Sequence, residues 1–166
     1  MVKAKPVIIA LLVVVIGVMA AKHIFQSEEK RVKKQFDRLS KWTSKEAGEN
    51  TFAMAQKMKE IGAFFAEQCE FKADTISFSG RYNREEISSY AARARLPFID
   101  LSLHFHDLDV SFPEKEVAKV TATAKLTGKL STGEYVDETH EFVSVLRKVE
   151  KRWLLTNLEV IEVLKK

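Results

Sequence analysis

Residues 98–164 read FIDLSLHFHDLDVSFPEKEVAKVTATAKLTGKLSTGEYVDETHEFVSVLRKVEKRWLLTNLEVIEVL, and the fold turns on them. Their period is two, as in strands that turn one face inward. Leu101, Leu103 and Phe105 alternate with Ser102, His104 and His106. Leu108, Val110 and Phe112 then alternate on the opposite parity, so a β-bulge is expected near His106 and Asp107. Pro113 and Glu114 turn the chain. Val120, Ala122, Ala124 and Leu126 alternate with Thr121, Thr123, Lys125 and Thr127. Ser131-Thr132-Gly133 is a turn, 135–149 a strand, Glu150-Lys151 a tight connection and 152–164 the last strand. Strands of this length exceed the usual ~5–6 residues and must twist. The reading is an α+β domain: a cone-shaped, curved antiparallel sheet with helices on its concave face.

Connections of four residues (113–116), four (131–134) and two (150–151) would set Leu103 opposite Leu126, Ala122 opposite Val143, and Val143 opposite Leu158. Leu101, Leu103 and Phe105 then share the core face with Ala124, Leu126, Val143, Val145, Leu158 and Val160. The other face is polar on the early strands. On the last two it is apolar, through Phe142, Leu146, Trp153, Leu155, Ile161 and Val163. A sheet with helices on one face should be wet on the other, so an apolar second face marks an interaction surface. Self-association through it, as a homodimer or with an envelope protein, is expected. The alternative is that the N-terminal helices fold across it.

Upstream, residues 27–45 carry Val32, Phe36, Leu39 and Trp42 or Thr43 at helical spacing. Their KRVKK run is a solvated face or a contact for anionic headgroups. Gly48-Glu49-Asn50 interrupts, and 51–66 is a second helix with Phe52, Ala55, Met58, Ile61, Phe64 and Phe65 along one side. This helix should plug the hollow of the sheet. After an extended stretch, Asn83-Arg84-Glu85-Glu86 reads as an N-cap and acidic first turn. It opens a third helix, 84–93, with Ile87, Tyr90 and Ala91 inward. Phe64, Phe65, Tyr82, Tyr90 and Phe98, together with Phe78, either fill the core or line a small apolar pocket.

At the other end, residues 7–21 (VIIALLVVVIGVMAA) carry no charge, with Lys3 and Lys5 before them and Lys22 after. Counting 6–25, with Lys22 snorkelling, gives the ~20 residues that cross a ~30 Å hydrocarbon layer as helix. A cleaved signal peptide also fits. An uncleaved anchor is favoured, because the apolar stretch is long and no clean Ala-x-Ala follows it. The domains are then 1–25, an anchor in the lipid bilayer, and 26–166. The expected location is a bacterial inner membrane, single-pass, with the domain periplasmic. The positive-inside count is split, since a second basic run follows the segment. The net charge of +4 on 166 residues comes half from Lys3 and Lys5, too weak a footprint for nucleic acid. One cysteine excludes a disulfide framework and a four-cysteine zinc site.

The order helix, helix, hairpin, short helix and three long bent strands resembles the nuclear transport factor 2-like, or SnoaL-like, superfamily. Leu146-Arg147-Lys148-Val149-Glu150-Lys151-Arg152-Trp153-Leu154-Leu155, with Glu159-Val160-Ile161-Glu162-Val163, is similar to its closing hairpin. Gly80-Arg81-Tyr82 with Arg84-Glu85-Glu86-Ile87 resembles the start of its third helix. The resemblance covers about 27–166. Glu-Lys stands where that hairpin's turn usually carries Asp-Gly or Asn-Gly. It implies a fold that hosts isomerases, dehydratases and hydrolases as well as non-enzymatic binding modules, some behind a single membrane helix.

Enzymes of that superfamily place an Asp or His base in the cone. Here the polar core-face candidates are Thr139, Glu141, Arg147 and Thr156, and none forms an obvious dyad. His104, His106 and His140 suggest a metal, but on this register His104 and His140 sit two strands apart. About 9.5 Å separates such positions, too far for ligands that approach zinc at ~2.0 Å. Cys69 reads as a structural thiol, and Asp100, Asp107 and Asp109 as solvated strand residues. No catalytic residue, cofactor or metal is assigned. The expected function is a non-catalytic, membrane-anchored binding or assembly domain. The alternative is a small apolar-ligand binder, or an enzyme, using the cone cavity.

Overall fold

The computed structural model describes residues 4–73 and 78–161, without the side chains of residues 4–8, 10 and 11. Two units are distinguished, Met1–Arg31 and Val32–Lys166. Helix α1 spans Ala4–Thr43. In the first unit Arg31 pairs with Glu28 at 3.2 Å, and the described apolar side chains, among them Leu12, Ile16, Met19 and Phe25, are exposed. Among the described residues no helix is long and apolar enough to cross a membrane. The expected 6–25 span is therefore not supported there, and part of it lies outside the described side chains.

In the second unit Asn50 caps α2 (Thr51–Phe64) by accepting the Ala53 N–H at 2.8 Å. The helix ends before the expected Ala66, because Phe65 is already extended and opens β1 (Phe65–Lys72). Strand β2 (Gly80–Asn83) leads into α3 (Arg84–Arg95). Asn83 accepts the Glu86 N–H, and the Glu86 carboxylate accepts the Asn83 N–H, a reciprocal cap on the expected start. Four long strands follow: β3 (Phe98–Glu114), β4 (Val117–Leu130), β5 (Tyr135–Val149) and β6 (Arg152–Ile161).

The strand order is β2-β1-β6-β5-β4-β3 in one curved sheet. It is mixed, not all antiparallel as expected, because β1 runs parallel to β6. Turns reveal the pairing of sequence neighbours, and β1 and β6 lie too far apart in sequence for that signal. The bulge appears where the alternation slips: pairing shifts between His106 and Asp109, and Asp107 has φ of 52°.

The register between β4 and β5 is one residue away from the sequence expectation. Leu130 donates its N–H to the Glu134 carbonyl at 2.8 Å, so the loop is 131–133, with Gly133 at φ 96°. A three-residue loop with glycine in a left-handed conformation is a standard hairpin connection. Ala122 consequently faces Phe142, and Thr121 faces Val143. That single step turns every β5 side chain to the other face. A bulge in β6 leaves Thr156 unpaired between the Leu146–Leu155 and Val145–Asn157 pairs. Trp153, Leu155, Leu158 and Val160 therefore all lie on the covered face.

The expected outer interaction face is corrected accordingly. Phe142, Leu146, Trp153 and Leu155 are 4%, 0%, 3% and 0% exposed and belong to the core. Ile161 is exposed at the end of β6, and Val163 lies outside the described residues. Val143 and Val145, expected in the core, are half-buried on the opposite face.

The packing centre is also displaced. Val32, Phe36 and Leu39 form a buried stripe on α1. The Phe36 ring lies 5.3 Å from Phe105, 5.9 Å from Phe142 and 5.7 Å from Phe64. The central plug is thus the C-terminal part of α1, with α2 contributing Met58, Ile61 and Phe64 beside it.

Candidate functional site

Helix α3 is fastened at both ends. Near its start the Arg84 Nε donates to the Phe65 carbonyl at 2.8 Å, and mid-helix the Ser88 hydroxyl donates to the Met58 carbonyl at 3.1 Å. Gly62 lets α2 come this near: a Cβ there would lie 2.4 Å from Ser88 Oγ. At the far end Arg95 is 3% exposed. Its Nε donates to the Thr43 carbonyl at 2.9 Å and its Nη2 to Ser44 at 2.8 Å, and it pairs with Glu49 at 2.9 Å. Lys57 meets the same carboxylate at 2.6 Å. Burial pushes the Glu49 carboxyl up, but hydrogen bonds and charge from Lys57 and Arg95 outweigh it and hold the group below the ordinary 4.5.

Between these anchor points the inward side of α3 presents small residues, and a cavity of about 650 Å³ opens there. Its walls are Leu39 and Thr43 of α1, Ile61 of α2, Phe65 and Phe71 of β1, Phe78, and Ile87, Tyr90, Ala91, Arg93 and Ala94 of α3. Leu39, Ile61, Phe65 and Ile87 are buried and form the floor; Tyr90, Arg93 and Ala94 are exposed and form the mouth. Aromatic rings make up one wall. Phe78 stacks on Tyr82 at 4.8 Å and meets Phe71 edge-on at 5.6 Å and Tyr90 at 5.3 Å. The size suits a small ligand, and the lining is mostly apolar with few polar groups.

Of the residues singled out from sequence, Phe65 and Tyr90 line this cavity. Tyr82 stands behind Phe78. Phe64 is buried between Phe36 and Phe65. Phe98 sits away from it, where a Cβ on Gly128 would touch its ring. Sequence reasoning overlooked Arg93, Ala94 and the Leu39–Thr43 side. The available signal was Ala91 and Ala94 on an inward helical stripe, where small residues leave space.

The other candidates are scattered. His104 and His106 lie 6.5 Å apart, ring to ring, on β3. The observed register pairs Ala124 with His140 and His104 with Lys125, which puts His140 on the opposite face from His104. Among the described residues no group of three His, Cys, Asp or Glu side chains could hold a metal ion. Cys69 is wholly buried. Burial and the Glu70 charge push its thiol up to about 12, so it stays protonated and unreactive. Thr156 is committed to the Val145 carbonyl at 3.0 Å. Glu141 and Asp107 border a smaller, more polar hollow of about 300 Å³ that includes Thr121, Thr123 and Ile161.

No protein-family pattern matches the chain, and no curated protein resembles it in sequence. Solved structures do resemble it in shape. A proposed scytalone dehydratase from Novosphingobium aromaticivorans superposes with a TM-score of 0.71 at 14% identity, over 86% of this chain and 89% of that one. A nuclear transport factor 2-like protein with a cystatin-like fold from the same organism gives 0.67 at 12%, over 89% and 90%. LinA gives 0.64 at 12%, over 82% and 86%. At these identities the likeness is one of fold. The fold is the nuclear transport factor 2-like one.

Proposed function

We propose that the chain is a non-catalytic binding protein whose domain takes a small apolar ligand in the α3 cavity, and that residues 6–25 anchor it in a bacterial inner membrane with the domain periplasmic. The observation that carries the binding reading is the cavity itself. It has a buried apolar floor and an aromatic wall, and among the described residues no Asp, Glu or His lines it. General acid–base chemistry most often uses such a group within hydrogen-bond reach of substrate, and the phenol of Tyr90 stands at the exposed mouth rather than on the floor; binding needs only shape and apolar area. Desolvating an apolar ligand there contributes about 25 cal/mol per Å² of buried surface. The anchoring reading rests on the sequence of 6–25 and on the run of exposed apolar side chains in Met1–Arg31, which monomeric soluble proteins rarely show.

A neutral fluorescent probe, N-phenyl-1-naphthylamine, tests the binding reading on the full chain in lipid nanodiscs. Saturable fluorescence is expected in the parent. Ala91→Trp and Ala94→Trp, which fill the cavity from α3, should each abolish it while keeping the parent's circular dichroism. Fluorescence that is absent, or equal in folded variants and parent, would overturn the reading. For the anchor, carbonate-resistant membrane association that disappears on deleting residues 1–25 is expected, and extraction of the full chain by carbonate would contradict it.

A further inference from the structure

We propose that the ligand is an amphipathic monocarboxylate, its apolar body on the cavity floor and its carboxylate on Arg93 at the mouth. This rests on the binding reading above and specifies its ligand. Among the described lining residues Arg93 is the charged one, and it sits at the exposed end of a mostly apolar cavity. Its Nη2 donates to Ser89 Oγ at 3.1 Å, and its guanidinium lies 5.5 Å from the Tyr90 ring centroid. These two contacts orient the side chain, and among the described residues no carboxylate pairs with it. The contrast with its neighbour Arg95, locked on Glu49 two residues away, is direct.

A guanidinium offers five N–H donors in a planar fork that matches a carboxylate in two parallel hydrogen bonds. Only part of that fork is engaged here. The floor formed by Leu39, Ile61, Phe65 and Ile87 has no group to pair with a charge, and burying an unpaired carboxylate there would be prohibitive. The polarity of the site thus runs one way, apolar within and cationic at the mouth. A neutral apolar molecule gains only from the floor. An acid with one carboxylate at the end of an apolar chain or ring gains from both ends.

The test is displacement of the neutral probe by three ligands of equal chain length at pH 7.5: decanoate, 1-decanol and decylammonium. The chains are the full-length parent, Arg93→Gln and Arg93→Glu, all in zwitterionic nanodiscs, with partition into protein-free nanodiscs subtracted. The parent should prefer decanoate to decanol about tenfold. Arg93→Gln should erase that preference and leave decanol unchanged, and Arg93→Glu should shift it to decylammonium. Raising salt should shrink the decanoate preference, since the pair is exposed. If the probe binds but decanoate and decanol compete equally, or the preference survives Arg93→Gln, the carboxylate assignment falls while the apolar cavity stands. If the probe does not bind at all, the binding reading itself has failed.

Discussion

Glu49 carries more of the site's architecture than its place in a loop suggests. Its carboxylate is the shared partner of Arg95 at the end of α3 and Lys57 on α2. One partner is a buried guanidinium whose Nη1 has no hydrogen-bond partner among the described residues. Removing the carboxylate would strand Arg95 in the interior, and breaking buried pairs this way costs about 3–5 kcal/mol. Glu49→Gln should lower the urea midpoint of unfolding by a corresponding amount at pH 7. The carboxyl is held below its unfolded value, so its contribution is complete above about pH 4.5. It is lost as the pH falls through the lower folded value. The parent should therefore lose stability through this acid window, and Glu49→Gln should lose less. Equal slopes for both proteins would show that the cluster does not titrate as described. None of this was legible in the sequence, where Glu49 reads only as part of a helix-breaking Gly-Glu-Asn. The pairing depends on three segments meeting.

At the scale of elements, α1 is the case where a sequence pattern was read correctly and placed wrongly. The spacing of Val32, Phe36 and Leu39 marks an amphipathic helix, but the 51–66 stretch carries more large apolar residues along one side and so reads as the centre. The rings of Phe64, Phe105 and Phe142 converge on Phe36 instead. Phe36→Ala should cost about 3–5 kcal/mol in denaturant unfolding. Phe52→Ala on α2, where the side chain is 81% exposed, should cost under about 0.5 kcal/mol. Similar losses at both positions would put the centre elsewhere. The strands show the same limit in another form. Their alternation and the bulge near His106 and Asp107 are legible because both are local, whereas the expected turn at Pro113 and Glu114 lies inside β3, whose Glu114 pairs with Val117. The faces of β5 and β6 are not legible, because each depends on one count: a loop of three residues instead of four, and a bulge at Thr156. Periodicity reports the presence of two faces and cannot say which one is covered.

Across the whole domain, covering one face of the sheet with α1 and α2 and bracing α3 at both ends leaves a void under the middle of α3. Its lining comes from three helices, β1 and Phe78, so no contiguous motif announces it. Phe65 and Tyr90 are legible in the sequence because large rings at inward helical or strand positions mark the lining of an apolar space. Arg93 was not, since an arginine on a helix is ordinarily a solvated group. The nuclear transport factor 2-like architecture is compatible with catalysis and with binding, and the proposal made for this cavity is binding. Methyl-resolved NMR of the full chain in nanodiscs, titrated with 1-decanol, tests that most directly. Shifts are expected at the Leu39, Ile61 and Ile87 methyls, with Val143 and Val145 on the other sheet face unmoved. Silence at the cavity methyls, or shifts centred on Val143 and Val145, would contradict a ligand site beneath α3.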